Sequence, residues 1–339
     1  MRLTFAILAV ALSVLLAATP RAGAASAGRV ERLDPGLDAL VPADARVEVV
    51  TEGLHWAEGP LWDPRDGSLL FSDVPRNAVF QWRPRGGVVA VLRPSGYTGT
   101  DPFNGNEPGS NGLTFDREGR LVLCQHGDRR IARREPDGQL VGLVDRYQDK
   151  RLNSPNDLVY GPDGALYFTD PPFGLARGFD DPGKELAFQG VYRLAPDGTL
   201  TAIVTDLRAP DGLAFSPDGK TLYVSNAERE NPIWMAYPVK ADGSVGPGRV
   251  FADARAWLAD GEGVPDGMKV DDRGNVFATG PGGIDIFAPD GTRLGRIVTG
   301  VSTANLTWGD DGHALYIAAG QRILRVRTTT GGHVGGALR

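Results

Sequence analysis

Six acidic or amide residues recur along the chain, each at the start of a short repeated phrase. Usually Gly or Asp comes next, followed by a few strand-forming residues, a Gly-containing turn and a second strand. Successive members lie 39 to 55 residues apart, and the six are Glu58, Asn111, Asn156, Asp211, Asp266 and Asn305. Three carboxylates and three amides that met on a narrow axis would be poorly solvated, and the carboxylates would repel one another, unless a cation lay among them. We call these six the ring residues and expect them to form a metal site of oxygen ligands.

The expected metal is a hard divalent cation. Calcium tolerates an irregular shell of six to eight oxygens, whereas magnesium requires a tighter octahedron. We therefore expect Ca²⁺, with Zn²⁺, Mn²⁺ or Mg²⁺ as alternatives in a site that is open to exchange. The alternative interpretation is that the ring residues only cap strand ends and bond to backbone groups.

One ring residue is the candidate for the chemical step. Asp266 lies between Pro265 and Gly267, which would present its side chain on a tight backbone. A metal held by protein oxygens with open positions can polarise a carbonyl group or activate a water molecule, and a nearby carboxylate would complete a hydrolase. Asp266 would then be the general base or a metal-bound nucleophile, and a purely ligating role is the alternative.

Four further residues are candidates for binding substrate. Two are ring residues whose amides could contact substrate, and two lie in loops expected at the same mouth. The set is Asn111, Asn305, His126 and Asp170. A lone His more often makes structural hydrogen bonds, so a role of His126 as hydrogen-bond donor or proton carrier is the less frequent alternative.

The repeats also predict the elements that must position these residues. Turn sequences such as G-P-D-G from Gly161 and S-P-D-G from Ser216 separate strand-forming runs, and their Asp residues are most simply turn formers. About four such runs per repeat of this length are typical of propeller blades. We predict an all-β, six-bladed β-propeller with four-stranded antiparallel blades around a central metal-containing tunnel. V-E-V-V from Val47 should close the ring beside I-L-R-V-R from Ile323.

The predicted blades place the ring residues at one end of the tunnel. If the first strand of each blade lines the axis, its first residue lies at one mouth and the Gly hairpin lies at the opposite face. The loop after the second strand returns to the first mouth. The longest such loop, Pro171 to Lys184, could then act as a partial lid.

The N-terminus is typical of a secretory signal peptide. Arg2 precedes an apolar run to Ala18, and small residues suit cleavage near Ala24 or Ala27. We expect residues 1–24 to be removed, with cleavage as late as residue 27 possible, and residues 28–339 to form one propeller domain. The protein would be secreted or periplasmic. The apolar run is too short to favour spanning a bilayer, so we expect no membrane partner after cleavage.

Composition excludes several other classes. Cys124 is the only Cys among 339 residues, so no disulfide can form within the chain. The formal charge of −6 becomes −8 when Arg2 and Arg21 are lost with the signal peptide, and a mildly acidic chain without basic clusters is a poor nucleic-acid ligand. The four His are scattered, and P-G-S-N-G around Ser110 lacks the first Gly of a nucleophile elbow, which disfavours a His zinc site and a Ser hydrolase. Oligomeric state is not predicted.

Several phrases resemble those of a known family. They are W-A-E-G-P-L-W, G-S-N-G-L-T-F-D, L-N-S-P-N-D-L-V, P-D-G-L-A-F-S-P-D-G-K-T-L-Y-V-S and V-P-D-G-M-K-V-D. They look like the gluconolactonase, senescence marker protein and luciferin-regenerating enzyme family, from about Glu52 to Arg327. The resemblance implies a six-bladed propeller with a divalent metal in its tunnel that hydrolyses lactones or, as in the related diisopropylfluorophosphatase, organophosphates.

The resemblance also implies roles for individual residues. By motif, the metal ligands would be Glu58, Asn156, Asp211 and Asp266, with Asp266 as the catalytic carboxylate. Asp211 departs from the family pattern, which commonly has Asn in a phrase like P-N-G-L-A-F. The additional charge should strengthen binding of a divalent ion and lower its Lewis acidity, which leaves the particular substrate open.

The leading hypothesis is an exported, metal-dependent hydrolase that opens a sugar-derived lactone such as gluconolactone. One alternative is a hydrolase of phosphate triesters or other esters, for which Phe103, Phe173, Phe179 and Trp234 could supply an apolar mouth. Another alternative is a non-catalytic binding module in which calcium only stabilises the propeller.

Overall fold

Six antiparallel sheets follow one another around a central axis in a computed structural model that describes residues 26–336. The predicted signal peptide, residues 1–24, lies outside the described residues. The first strand of each sheet contacts the first strands of the neighbouring sheets, and the first strand of the last sheet contacts that of the first. The prediction of an all-β, six-bladed propeller with four-stranded antiparallel blades is confirmed.

Blades 1 to 3 each run outward from the axis in chain order. Their strands are Ala57–Asp63, Ser68–Asp73, Ala78–Arg83 and Gly87–Leu92 in blade 1; Ser110–Phe115, Leu121–Gln125, Arg130–Arg134 and Leu140–Val144 in blade 2; and Leu158–Tyr160, Leu166–Asp170, Gly190–Leu194 and Leu200–Val204 in blade 3. A short hairpin, Arg146–Tyr147 with Lys150–Arg151, joins blades 2 and 3.

Blades 4 to 6 follow the same order with additions from the N-terminal part of the chain. Their strands are Pro210–Phe215, Thr221–Asn226, Ile233–Pro238 and Arg249–Asp253 in blade 4; Met268–Val270, Val276–Gly280, Gly283–Phe287 and Arg293–Val298 in blade 5; and Thr303–Gly309, Ala314–Ala319 and Arg322–Arg327 in blade 6. Three short 3₁₀ helices span Pro35–Ala39, Gly178–Asp180 and Arg255–Asp260.

The N-terminal strands close the propeller. Val47–Glu52 pairs antiparallel with Arg322–Arg327 and completes blade 6, as the sequence predicted. Arg29–Arg32 adds a fifth strand to the outside of blade 5, which the sequence analysis did not predict. The N-terminal part of the described chain therefore supplies one strand to blade 5 and one to blade 6, and its pairing with Arg322–Arg327 closes the ring.

The core lies between the facing surfaces of adjacent blades. The central strands are buried on both faces, as in Ala314–Ala319, so they read as continuous apolar runs. Between blades 5 and 6, Phe277 packs edge-on against Trp308 at 5.1 Å between ring centroids. Cys124 is buried in blade 2. Within residues 26–336 no helix is both long and apolar enough to cross a bilayer.

The Gly hairpins after the first strands are built as the sequence predicted. In blade 2, Asp116 Oδ1 accepts hydrogen bonds from the backbone N–H groups of Glu118 and Arg120, at 3.1 and 2.8 Å. In blade 5, Asp271 accepts from Arg273 and Asn275 in the same way. These carboxylates form turns, and the hairpins lie at the end of the tunnel away from the ring residues.

Candidate active site

The six ring residues come one from each blade and lie at one end of the tunnel. Each lies within the first three residues of an innermost strand or two residues before that strand begins. Five are almost fully buried and Asp266 is partly exposed. Glu58 of blade 1 is close enough to Asp266 of blade 5 for their charges to interact. The predicted convergence at one mouth is therefore present.

The tunnel is narrow at this level because four ring residues are followed by Gly. A Cβ atom on any of these glycines would collide with the ring residue of the next blade: Gly59 at 2.2 Å from Asn111 O, Gly112 at 2.8 Å from Asn156 O, Gly212 at 2.3 Å from Asp266 O, and Gly267 at 2.2 Å from Asn305 Cγ. The repeated acid-Gly or amide-Gly dipeptide is thus a packing requirement. It brings each ring residue against the backbone of its neighbour.

Three carboxyl groups of the ring form a mutually repelling cluster. Burial raises the pKa of Glu58, Asp211 and Asp266 well above the ordinary value, and their mutual charge raises it further for Glu58 and Asp266. The side chains of Asp211 and Asp266 are within hydrogen-bonding reach of each other. Three acidic groups in such a place favour a bound cation or a bound proton.

A fourth carboxylate, which the sequence analysis did not single out, lies beside the ring. Asp157 is buried, Oδ1 accepts a hydrogen bond from the N–H of Leu158 at 2.9 Å, and the side chain also pairs with Asn305. Burial raises the pKa of Asp157, and the charge of Lys269 partly offsets that rise. The signal was present in S-P-N-D, where Asp157 directly follows a ring residue.

The unpartnered oxygens of the site test whether a metal fits. Among the ring residues and Asp157, four buried side-chain oxygens have no hydrogen-bond partner in the part of the chain that the structure describes: Asn111 Oδ1, Asn156 Oδ1, Asp157 Oδ2 and Asp211 Oδ1. Buried acceptors without partners are costly, and a divalent cation is a partner that oxygen donors of this kind accept. The donor set therefore fits a hard ion.

The acidic side chains of the ring do not by themselves form a metal site. Within residues 26–336, no group of three or more His, Cys, Asp or Glu side chains is arranged to hold a metal. This agrees with the unpartnered oxygens because an amide, Asn156, would supply part of the shell.

Asp170 is placed differently from the ring residues. Its Oδ2 accepts a hydrogen bond from Asn153 N at 2.7 Å, and its carbonyl accepts one from Asn153 Nδ2 at 2.9 Å. The side chain is fully buried, and burial raises its pKa to about 7. Asp170 thus holds the loop that leads to Asn156, and the structure does not bring it into the ring. Its role in binding substrate stays a prediction.

The two substrate-binding candidates in the ring differ in the hydrogen bonds that their side-chain amides make. Asn305 Oδ1 accepts a hydrogen bond from Leu306 N at 2.9 Å, and the same side chain pairs with Asp157, so its amide is held by the protein. Asn111 Oδ1 has no partner. Of the two, Asn111 is the amide with a free acceptor.

His126 is paired with a residue that the sequence analysis missed. Its Nδ1 lies 2.6 Å from Glu107 Oε2, although neither ring nitrogen makes a well-aligned hydrogen bond. His126 is 1% exposed. The charge of Glu107 contributes to raising the pKa of Glu58 and Asp211, so Glu107 lies near the ring. Glu107 is in an irregular loop, and no pattern in the sequence marks it.

Two loops meet at the ring end of the tunnel, and we call residues 93–109 and 171–189 the mouth loops. A bridge joins Gly105 to Leu175, and Asn106 donates hydrogen bonds to Gly174 O at 3.2 Å and to Leu175 O at 2.8 Å. Gly174 N donates to Ser154 Oγ, two residues before Asn156. The predicted partial lid, Pro171 to Lys184, is thus part of a two-loop assembly.

A cavity of about 300 Å³ lies at the opposite end of the tunnel. Its walls come from later positions of the innermost strands and from the C-terminal segment, and include Leu61, Leu113, Leu158, Leu213 and His333. None of the ring residues lines it. We therefore locate the candidate chemistry at the ring end, where the carboxylates and unpartnered oxygens are.

The fold and the ring together define a class: a six-bladed β-propeller with an acidic, amide-bearing tunnel mouth suited to a hard cation and a small polar substrate. The family model described as SMP-30/gluconolactonase/LRE-like region matches residues 56–321. The chain belongs to this family.

Named relatives are similar over most of the chain. A gluconolactonase from Zymomonas mobilis subsp. mobilis is 41% identical over 311 residues, which is 90% of this chain and 87% of that protein. The structure of a gluconolactonase from Xanthomonas campestris is 35% identical, with a TM-score of 0.76 over 88% of this chain and 94% of that one. Regucalcin from Agrobacterium tumefaciens, a calcium-binding protein, shares the fold at 20% identity, with a TM-score of 0.67 over 86% and 97% of the two chains.

Proposed function

We propose that this protein is an exported, metal-dependent hydrolase that opens a sugar-derived lactone. It is a gluconolactonase-like enzyme of the carboxylic ester hydrolase class. The observation that carries the proposal is the convergence of Glu58, Asp211 and Asp266 with unpartnered amide oxygens at one tunnel mouth. The similarity to gluconolactonases supports the substrate class.

The ring residues divide into ligands and reacting groups. Glu58, Asn156 and Asp211 would hold the ion, most favourably Ca²⁺, with Asp266 as fourth ligand. A bound divalent cation supplies Lewis acidity toward the lactone carbonyl. Asp266 is the only ring residue that is partly exposed, so it is the carboxylate best placed to take the proton of the attacking water.

The remaining groups at this mouth suit a polyhydroxylated substrate. Asn111 has a free amide oxygen that can accept a hydrogen bond from a sugar hydroxyl. The mouth loops, which are joined at Gly105 and Leu175, would limit access of water and large substrates to the ring. Small, convergent sets of polar groups of this kind fix the orientation of a ligand.

The test is lactone hydrolysis by chelator-stripped protein with calcium, zinc, manganese, magnesium or no metal added back. We expect a divalent ion to restore turnover of an aldonolactone. We expect Asp266→Asn to lose turnover while calcium still raises its melting temperature. Asp290→Asn is the matched control, because Asp290 is an exposed turn residue of the same blade whose Oδ1 accepts a hydrogen bond from Thr292 N.

Two results would contradict the proposal. Metal-independent turnover would show that the ion is not required, and full activity of Asp266→Asn would show that the carboxylate is not required. Hydrolysis of a phosphate triester but of no lactone in the same panel would favour the alternative ester hydrolase. Calcium-dependent stabilisation without turnover of any ester would favour a binding module.

Export is tested separately. The full chain, expressed in a bacterium with its N-terminus intact, should be recovered outside the cytoplasm with a new N-terminus after residue 24 or residue 27. Intact mass measurement of the purified protein locates the cleavage. Retention of Met1 in a cytoplasmic product would refute export.

A further inference from the structure

The pair formed by Glu107 and His126 lies across the tunnel from Asp266. Glu107 is in the mouth loop that enters blade 2, and His126 directly follows the second strand of that blade. In a ring of six blades, blade 2 lies opposite blade 5, which carries Asp266. The proposed base and this pair therefore approach the mouth from opposite sides.

The pair is held in place by the assembly of mouth loops. Asn106, next to Glu107, is fixed by its two hydrogen bonds to the backbone of Gly174 and Leu175. Gly174 in turn packs against His126, since a Cβ on Gly174 would lie 3.3 Å from His126 Cβ. His126 Nε2 is buried and has no hydrogen-bond partner among the described residues. The side chain of Glu107 is 32% exposed, although its Oε2 atom, which faces His126, is buried.

Lactone opening requires a proton donor for the departing ring oxygen as well as a base for the attacking water. When water attacks the carbonyl carbon, one proton must leave the water, and the ring oxygen must later depart as an alkoxide. An alkoxide is a poor leaving group unless it is protonated as the bond breaks, and a positioned acid contributes about 10²- to 10⁴-fold to such a step. Asp266 can account for the first proton transfer only.

We propose that Glu107 and His126 are a proton-donating pair, in which Glu107 positions the imidazolium of His126 and His126 Nε2–H protonates the departing ring oxygen of the lactone. The proposal rests on the proposed lactonase function. Glu107 is the positioning residue, because its carboxylate faces Nδ1–H and leaves the proton on Nε2 free.

The step balances as follows. The water oxygen bonds to the carbonyl carbon and its proton passes to Asp266. The bond between the carbonyl carbon and the ring oxygen then breaks, its electron pair stays on the ring oxygen, and that oxygen takes the proton from Nε2. His126 is left neutral with its proton on Nδ1, and the proton on Asp266 returns to His126 through solvent. The product is the open-chain hydroxy acid.

The test compares two lactones that differ in leaving group. An aldonolactone releases an alkoxide, whereas an aryl lactone releases a phenolate, which needs little protonation. We expect Glu107→Gln and His126→Gln to lower kcat for the aldonolactone by roughly 10²-fold or more, with little change in KM, and to lower kcat for the aryl lactone less than about 10-fold. Glu107→Asp should recover part of the loss.

Controls separate this role from folding and from the proposed function. Asp101→Asn removes a carboxylate from an exposed position in the same mouth loop and should change neither substrate. Melting temperatures with and without calcium check the fold, and Glu107→Gln alone carries the comparison if His126→Gln does not fold. Equal losses of kcat on both lactones, or no loss on either, would overturn the proton-donating role of the pair while leaving the proposed lactonase function intact. Wild-type protein that hydrolyses neither lactone would overturn both.

Discussion

Replacing Gly212 with Ala tests whether contact between neighbouring innermost strands shapes the candidate site. A Cβ at this position would lie 2.3 Å from Asp266 O and 2.5 Å from Gly267 Cα, both backbone atoms. Ordinary contact begins near 3.4 Å, so the backbone of Asp266 must move by about 1 Å. Gly212 does not have a positive φ, so the effect of Ala is steric.

The expected cost to stability is small, and the expected cost to function is large. Overpacking a buried contact costs about 1–3 kcal/mol, and exchanging Gly for Ala returns about 0.4–1 kcal/mol through the unfolded chain. A net loss of roughly 1–2 kcal/mol lowers the melting temperature by only a few degrees in a protein of this size. Misplacing a reacting group by about 1 Å, however, can lower the rate about 10²-fold.

The assay combines thermal melting with lactone hydrolysis. Gly212→Ala should melt a few degrees below the wild type in chelator, gain less from calcium, and show kcat/KM for an aldonolactone lowered by about 10²-fold. Gly142→Ala is the matched control, because Gly142 lies in an outer strand and its Cβ would meet Arg130 Cδ at an ordinary 3.5 Å. It should change neither quantity.

Two results would refute this reasoning. Wild-type activity and wild-type calcium response in Gly212→Ala would show that the position of Asp266 does not depend on the contact. Unfolding of Gly212→Ala under conditions in which Gly142→Ala is stable would show that the contact mainly supports the fold, and that the magnitude estimated for it is wrong.

Three further predictions concern the buried charges. Asp211→Asn removes one of the repelling carboxylates, so the chelator-stripped protein should melt higher while its calcium affinity, measured by titration, falls. Burial raises the pKa of Glu58, Asp211 and Asp266. The metal-free protein should therefore lose stability as pH rises from about 4, where these groups ionise in the unfolded chain, through the raised pKa values of the folded protein. Melting curves with added calcium should show that the ion reverses this loss. Cys124 is fully buried and burial raises its pKa, so a thiol reagent should label it only after unfolding; labelling of the native protein would contradict its placement.

The blades could be predicted from the sequence because each repeats the same local pattern of strands joined by a Gly-containing turn. The turn formed by Asp116 depends on residues within four positions of it, and the ring closure follows from one strand-forming run at each end of the chain. The fifth strand of blade 5 was missed because Arg29–Arg32 is short, and its pairing with Arg293–Val298 depends on the assembled edge.

Glu107 could not be predicted in the same way. It lies in an irregular loop without periodicity, and its position depends on hydrogen bonds such as that from Asn106 to Leu175, across a separation of 69 residues. Asp157 could have been singled out from the sequence, since it follows Asn156. Its hydrogen bond with Asn305 and its interaction with the charge of Lys269, however, involve later blades.

Two sets of acidic and amide residues differ in the hydrogen bonds that their oxygens accept, which residue type alone does not show. At the ends of the second strands, Asp73, Asp170 and Asn226 accept hydrogen bonds from the backbone of the loop that enters their own blade, at 3.1, 2.7 and 2.8 Å. At the starts of the innermost strands, Asn156 and Asp211 each keep a buried oxygen without a partner. Asp73 and Asn226 thus position the backbone, and Asp170 does so through Oδ2 while its Oδ1 has no hydrogen-bond partner. The prediction of a metal at the ring therefore rests on the unpartnered oxygens of Asn156 and Asp211, whereas Asp170 supports the loop that leads to Asn156 through Oδ2 and keeps Oδ1 without a partner.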